Sequence, residues 1–324
     1  MLYIGRSDME QIARLNDIMD CVERAFEVYG SGDYHMPERM HVDRPEGTIL
    51  YMPCFAGEIS GTKIVSTFPG NAALGIPTIQ GTMILNNSST GEALAVMDGA
   101  AITALRTGAV GGVGIRYTTR PDCRTVGLVG AGVQGLFQLL YAFHARPITD
   151  VFIYDISVER TANMVRELSR RLPQVEVHVA RNVRQLVEQS EIVITATPAT
   201  SPVLPDDEGL LKGRHFVAIG SYKYAMRELP PALYRVLDRV YVDTELALKE
   251  SGDLIVPMEQ GWLKRDDCQV LGNALPSLRA KPQTEVSTTL FKSVGMGLFD
   301  LLVAEELYKA ALREHIGIEL GSSA

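Results

Sequence analysis

Across residues 8–29 the apolar side chains Ile12, Leu15, Ile18, Met19, Val22 and Phe26 recur at steps of three and four, the mark of a helix with one buried face. Strand-like runs follow at 48–52, 61–68 and 78–86, so the first third reads as an α/β unit. Over residues 98–117 the pattern changes to small residues, Ala100, Ala101, Ala104, Ala109, Gly111, Gly112 and Gly114, which predict a helix that lies close to a neighbour until Pro121 ends it. Strands at 125–129, 150–154, 176–179 and 192–195 then alternate with helices starting at Gly132 and spanning 157–172. That alternation predicts a parallel sheet with helices on both faces. Further strands are expected at 215–219 and 239–243, and one helix over 287–314, packed outside the parallel-sheet unit.

No internal repeat is visible, and 324 residues with 46% hydrophobic content suffice for two cores. The expected boundary lies near residues 116–122. The apolar runs are far shorter than the ~20 residues that span a bilayer, so no membrane partner is expected. No basic segment followed by a long apolar one opens the sequence, which makes the cytoplasm the expected location. A net charge of −8 without any basic run argues against a nucleic-acid partner. Cys21, Cys54, Cys123 and Cys268 are scattered, which fits reduced thiols better than a disulfide frame, and no metal site is expected from them or from the spacing of the histidines.

The strongest chemical signal is Gly130-Ala131-Gly132-Val133-Gln134-Gly135, placed between an apolar strand and a helix. Gly130 allows the tight turn, Gly132 lets backbone N–H groups approach a pyrophosphate at the positive helix end, and Gly135 permits close packing of helix on strand. A second apolar strand ends in Asp155, twenty residues after Gly135, where a carboxylate accepts hydrogen bonds from the adenosine ribose. This predicts a doubly wound Rossmann sheet. The carboxylate also repels a 2′-phosphate, which favours NAD, while Arg160 nearby leaves NADP open.

Outside that unit stand Pro37-Glu38-Arg39, Gly61-Thr62-Lys63-Ile64-Val65, Pro69-Gly70-Asn71, Thr103-Ala104-Leu105-Arg106-Thr107-Gly108-Ala109, Phe291-Lys292-Ser293-Val294-Gly295 and Asp300. With the glycine fingerprint, these make the chain similar to the ornithine cyclodeaminase and mu-crystallin family from residue 2 to about residue 310. Its relatives include ketimine or pyrroline-2-carboxylate reductases and archaeal-type alanine dehydrogenase. The resemblance implies an α/β domain for substrate binding and dimerisation made of residues 1–117 with 287–324, completed by the C-terminal helix, against a cofactor domain of 118–286, and hence a homodimer. It implies that Arg39, Lys63 and Arg106 hold the substrate carboxylate beside the nicotinamide. A planar guanidinium fork fixes a carboxylate in one plane, and with it the α-carbon that exchanges the hydride. It also assigns cofactor contacts to Thr78, Arg106, Val133, Gln134, Asp155, Thr195, Thr197 and Ser293. Lys63, next to two arginines, is the expected proton-transfer group, with a pKa below that of lysine in water.

One departure bears on the reaction. Cyclodeaminases of this family carry an aspartate where Tyr222 stands in Ile219-Gly220-Ser221-Tyr222. Ornithine cyclisation wants a carboxylate to orient the δ-amine and pass protons. A phenol is protonated at neutral pH and is a poor base, although it can donate a hydrogen bond, so Tyr222 is read as a catalytic-position residue suited to plain imine reduction. Glu228 is expected to cap or pair on the surface. The leading expectation is an NAD(P)-dependent reductase or dehydrogenase of a small imino or amino acid. A cyclodeaminase with another group in the aspartate's role, and a cofactor-dependent binding protein like mu-crystallin, are the alternatives.

Overall fold

The computed structural model describes residues 1–321, which form two compact units. The first comprises residues 1–106 and those from 296 onward. Its elements are β1 (Leu2–Ile4), α1 (Arg6–Ile12), α2 (Leu15–Ser31), β2 (Met40–Arg44), β3 (Gly47–Ala56), β4 (Ile59–Thr67), β5 (Ile79–Asn87), β6 (Ala93–Asp98) and the start of α3 (Gly99–Thr118). The predicted first helix is thus two helices, parted by extended backbone at Ala13 and Arg14.

The second unit, 107–295, carries β7 (Thr125–Val129), α4 (Val133–Ala145), β8 (Asp150–Tyr154), α5 (Val158–Arg171), β9 (Glu176–Val179), α6 (Val183–Glu188) and β10 (Ile192–Thr195). There follow α7 (Glu208–Leu211), β11 (His215–Ala218), α8 (Pro231–Val236), β12 (Arg239–Val242), α9 (Ala247–Glu250), α10 (Gly252–Glu259), β13 (Cys268–Val270), α11 (Leu271–Ala280) and β14 (Thr289–Lys292). The chain then returns to the first unit with α12 (Gly297–Glu314) and β15 (Ile318–Glu319).

In the first unit seven strands run in the order β15-β1-β6-β5-β4-β3-β2, antiparallel except for β1 beside β6. Helix α12 packs against α2 and lies across β3, β4 and β5, with Phe26 edge-on to Phe299 at 4.8 Å between ring centroids. Close approach depends on Gly61: a Cβ there would stand 2.6 Å from the Ile84 carbonyl oxygen and 3.2 Å from Leu301 Cδ1. The helix can therefore lie low over β4, two residues from Lys63.

The second sheet is wholly parallel, ordered β13-β12-β14-β11-β10-β7-β8-β9. Helices alternate with its strands, as the sequence pattern predicts. The chain runs outward from β7 to β9, then returns to lay β10 on the other side of β7. Open α/β sheets bind ligands at such a reversal, beyond the carboxyl ends of the strands.

Two expectations need correction. Residues 287–314 are not one helix: Thr289, Leu290, Phe291 and Lys292 form a fully buried strand between β11 and β12, and Gly295, at φ +79°, breaks the chain before α12. The units also divide at 106/107 and 295/296 rather than at 117/118 and 286/287. The small residues explain the first shift. A Cβ on Gly108 would strike Phe137 and Tyr141, one on Gly111 would strike Gln138, and one on Gly114 would strike Phe291, so most of α3 lies against the parallel-sheet unit.

The four cysteines are unpaired, and burial pushes their thiols up to about 11 or 12. No helix among the described residues is long and apolar enough to cross a membrane.

Candidate active site

The glycine loop shows three distinct local demands. Gly130 has φ +108°, a conformation that favours glycine, and a Cβ there would lie 2.6 Å from the Ala196 carbonyl oxygen and 2.9 Å from Thr197 Cγ2. Gly132 caps α4 in extended conformation with open space where a Cβ would be, which leaves the helix N-terminus clear for an anion. A Cβ on Gly135 would meet the Gly130 carbonyl oxygen at 2.2 Å and Leu128 at 2.9 Å, so α4 can pack this tightly on β7 only without one. Val133 is the exposed first residue of α4. Gln134 Oε1 and, at the end of β10, Thr195 Oγ1 are buried with no hydrogen-bond partner among the described residues. Open backbone at Gly132 and two orphaned polar atoms fit a dinucleotide.

Asp155, just past β8, accepts from Ala131 N through Oδ2 and from Ser157 N through Oδ1, each at 2.8 Å. The carboxylate ties the glycine loop to the N-terminus of α5 and keeps a second lone pair on each oxygen for a ribose. Thr197 and Ser293 differ from expectation in where their protons go. Thr197 donates to Glu228 Oε1 at 2.8 Å and Ser293 to Asp243 Oδ2 at 2.6 Å, so both hydroxyls are committed inside the protein and neither has a proton left for a ligand.

In the first unit, Lys63 on β4 and Arg106 on α3 meet at Asp300, in the first turn of α12. Lys63 Nζ donates to Asp300 Oδ2 at 2.7 Å and to Thr103 Oγ1 at 3.3 Å, while Arg106 Nε donates to Asp300 Oδ1 at 2.9 Å. All three charged groups are at least nine-tenths buried. Burial is the largest influence on Lys63, and with the repulsion of Arg106 and Arg39 it lowers the pKa to about 8 against the upward pull of Asp300. Arginine repulsion, the expected cause, is therefore secondary to desolvation. Arg39 is half-buried, and Thr78 precedes β5, its carbonyl accepting from Phe68 N at 2.8 Å.

Tyr222 lies in the loop after β11 with its ring partly exposed and Lys223 Nζ 5.7 Å from the ring centre. Glu228 is not on the surface. It is fully buried and accepts from Thr197 N, Thr197 Oγ1, Gly220 N and Ser221 N. Besides Asp300, whose role was not foreseen, sequence reasoning missed Glu228, Asp243, Asp253 and Lys292, all of them fully buried. Asp300 and Lys292 left a trace, a lone charge inside the apolar run Leu298–Val303 and at the end of the buried strand Thr289–Lys292. One group with metal-ligand chemistry, Asp150, Glu176 and His178, places three ligand atoms within 4.8 Å at the β8–β9 edge. The histidine spacing hides it because two strands contribute.

Fold and loop chemistry together define an NAD-dependent oxidoreductase with a parallel-sheet dinucleotide unit. Residues 3–315 match the ornithine cyclodeaminase/mu-crystallin family, and the chain belongs to it. A Delta(1)-pyrroline-2-carboxylate reductase of Bacillus cereus is 31% identical, with 98% of each chain covered. The solved structure of the Thermococcus litoralis Delta(1)-pyrroline-2-carboxylate reductase with NADH and L-proline has a TM-score of 0.91 at 32% identity, covering 99% of this chain and 100% of that one. An archaeal alanine dehydrogenase dimer with bound NAD has a TM-score of 0.91 at 28% identity, with 99% of each chain covered.

Proposed function

We propose that this protein reduces a cyclic imine bearing an α-carboxylate, of the pyrroline-2-carboxylate kind, to the corresponding amino acid with NADH. The observation that carries this reading is the buried cluster in the first unit, where two cations, Lys63 and Arg106, share one carboxylate, Asp300, and Arg39 adds to the positive field. A buried excess of positive charge is costly until an anion joins it.

Among the described residues Asp300 engages Arg106 through Nε, which leaves the two terminal nitrogens to take the substrate carboxylate end-on. Arg39 and Arg106 fix the plane of that carboxylate, and the adjoining imine carbon with it. Bound NADH supplies the hydride for that carbon. Lys63 gives its ammonium proton to the imine nitrogen, so the C=N bond becomes a C–N bond with one hydride and one proton added. Asp300 holds the Lys63 ammonium in place and keeps it from titrating lower still. On the cofactor side, Gly130, Gly132, Val133, Gln134, Gly135, Asp155 and Thr195 hold the dinucleotide in this reading, and Thr197 and Ser293 shape the loops around it.

The relatives support a reductase over a cyclodeaminase, and so does Glu228. It is the one acid in residues 219–229, and its carboxylate is spent on backbone N–H groups and Thr197. Nothing in that segment replaces the aspartate that Tyr222 displaces. We also assign the first sheet a homodimer contact: Met40, Val42 and Phe55, on one face of β2 and β3, expose apolar side chains. Four unpaired cysteines support a reducing, cytoplasmic setting.

The test compares pyrroline-2-carboxylate with 1-pyrroline, which lacks the carboxylate, by NADH absorbance. Loss of charge-assisted hydrogen bonds worth about 3 kcal/mol should lower kcat/KM for 1-pyrroline by more than ~100-fold. Equal turnover of the two would contradict carboxylate anchoring.

A further inference from the structure

Three carboxylates, Glu228, Asp243 and Asp253, and one ammonium, Lys292, are buried together in the second unit. Glu228 is the best-satisfied of the three acids. Oε1 accepts from Thr197 N at 2.7 Å and Thr197 Oγ1 at 2.8 Å, and Oε2 accepts from Gly220 N at 2.8 Å and Ser221 N at 3.2 Å. Each oxygen thus serves one loop: Oε1 the loop after β10, Oε2 the loop after β11. The residue is itself held, because Glu228 N donates to Asp253 Oδ1 at 2.8 Å, and Asp253 Oδ2 lies 3.6 Å from Lys292 Nζ.

The loop after β10 is also the wall on which the dinucleotide turn rests. Gly130 fits against Ala196 and Thr197 so closely that no side chain could stand between them. On the other side Gly220 fits against Thr197 and Glu228, where a Cβ would lie 2.1 Å from Thr197 O and 2.6 Å from Glu228 Oε1. A continuous chain of contacts therefore runs from the glycine turn through Thr197 to Glu228 and on to Gly220 and Ser221, next to Tyr222.

We propose that Glu228 is a positioning residue for NADH, a buried strap whose two oxygens clamp the β10 and β11 loops and so set the wall of the dinucleotide turn. Geometry requires a carboxylate. Four donors converge on it, and glutamine offers one acceptor oxygen and turns an NH2 group toward two N–H donors. Removing the charge leaves Asp243 and Asp253 as counter-ions for the buried Lys292.

The inference rests on NADH binding at this loop pair, and the test is NADH fluorescence titration of the full-length protein with thermal melting alongside. Glu228→Gln should fold with an apo Tm lowered by a few degrees, because two buried N–H donors lose their acceptor, and bind NADH about tenfold more weakly, with kcat at saturating NADH within twofold of wild type. Gly220→Ala, whose Cβ would crowd both Thr197 and Glu228 Oε1 while leaving the carboxylate itself in the chain, should weaken NADH in the same direction. A folded Glu228→Gln with unchanged NADH affinity overturns the proposal. If that variant fails to fold, a folded Gly220→Ala with unchanged affinity overturns it instead. A wild type that binds no NADH overturns the cofactor site itself, and the strap with it.

Discussion

Buried in the first unit, Lys63 has a pKa lowered to about 8 because the surroundings penalise its charge more than Asp300 rewards it. A proton donor with that value is mostly charged at neutral pH yet gives the proton up readily. Reduction needs the ammonium, so kcat/KM should be level below pH 8 and fall about tenfold per unit above it; oxidation of the amino acid needs the amine and should rise toward pH 8, then level off. A reduction rate indifferent to pH between about 7 and 9.5 would contradict the assignment. The same shift affects stability. Between about 8 and 10.5 the unfolded chain holds the lysine proton and the folded one does not, so this group makes stability rise with pH across that window. At this scale sequence showed the cations but not their partner. Asp300 was singled out by the resemblance but given no role, and only the packing of α12 on β4 brings it to Lys63. Glu228 was hidden for a related reason, since its partners come from three separate stretches of chain.

Strands and helices with strong period were legible, and so was the glycine turn, because each of its three glycines meets a separate local demand. Short elements were not. Strands β1 and β15, of three and two residues, carry too few positions to show alternation. Strand β14 was read as helix because both its faces are buried, which erases the period of two. Gly61 is the element-scale control on the site, since it sets how low α12 lies over β4. Gly61→Ala should cost about 1–3 kcal/mol through overpacking. It should also raise the substrate KM by displacing Asp300, while leaving the NADH dissociation constant unchanged. Melting curves and the two titrations check this together. A Gly61→Ala variant with wild-type Tm would show that the approach is looser than the contacts imply.

For the whole molecule, the two-unit plan was legible, but its boundaries were not: α3 is divided, and β14 belongs to the second sheet, though it precedes α12 by only four residues. The first unit carries the cations and the exposed apolar strands, the second the dinucleotide loop. Light scattering should give twice the chain mass, and Val42→Asp with Phe55→Asp should halve it without changing NADH affinity. A monomeric wild type at micromolar concentration would refute the dimer assignment.

The central claim is reduction at the α-carbon of a cyclic imino acid, and it is tested most directly by incubating purified protein with NADH and pyrroline-2-carboxylate and, separately, with catalytic NAD and ornithine. A reductase consumes one NADH per proline formed in the first case and releases no ammonia in the second. Ammonia and proline from ornithine, with NADH untouched by the imine, would contradict it.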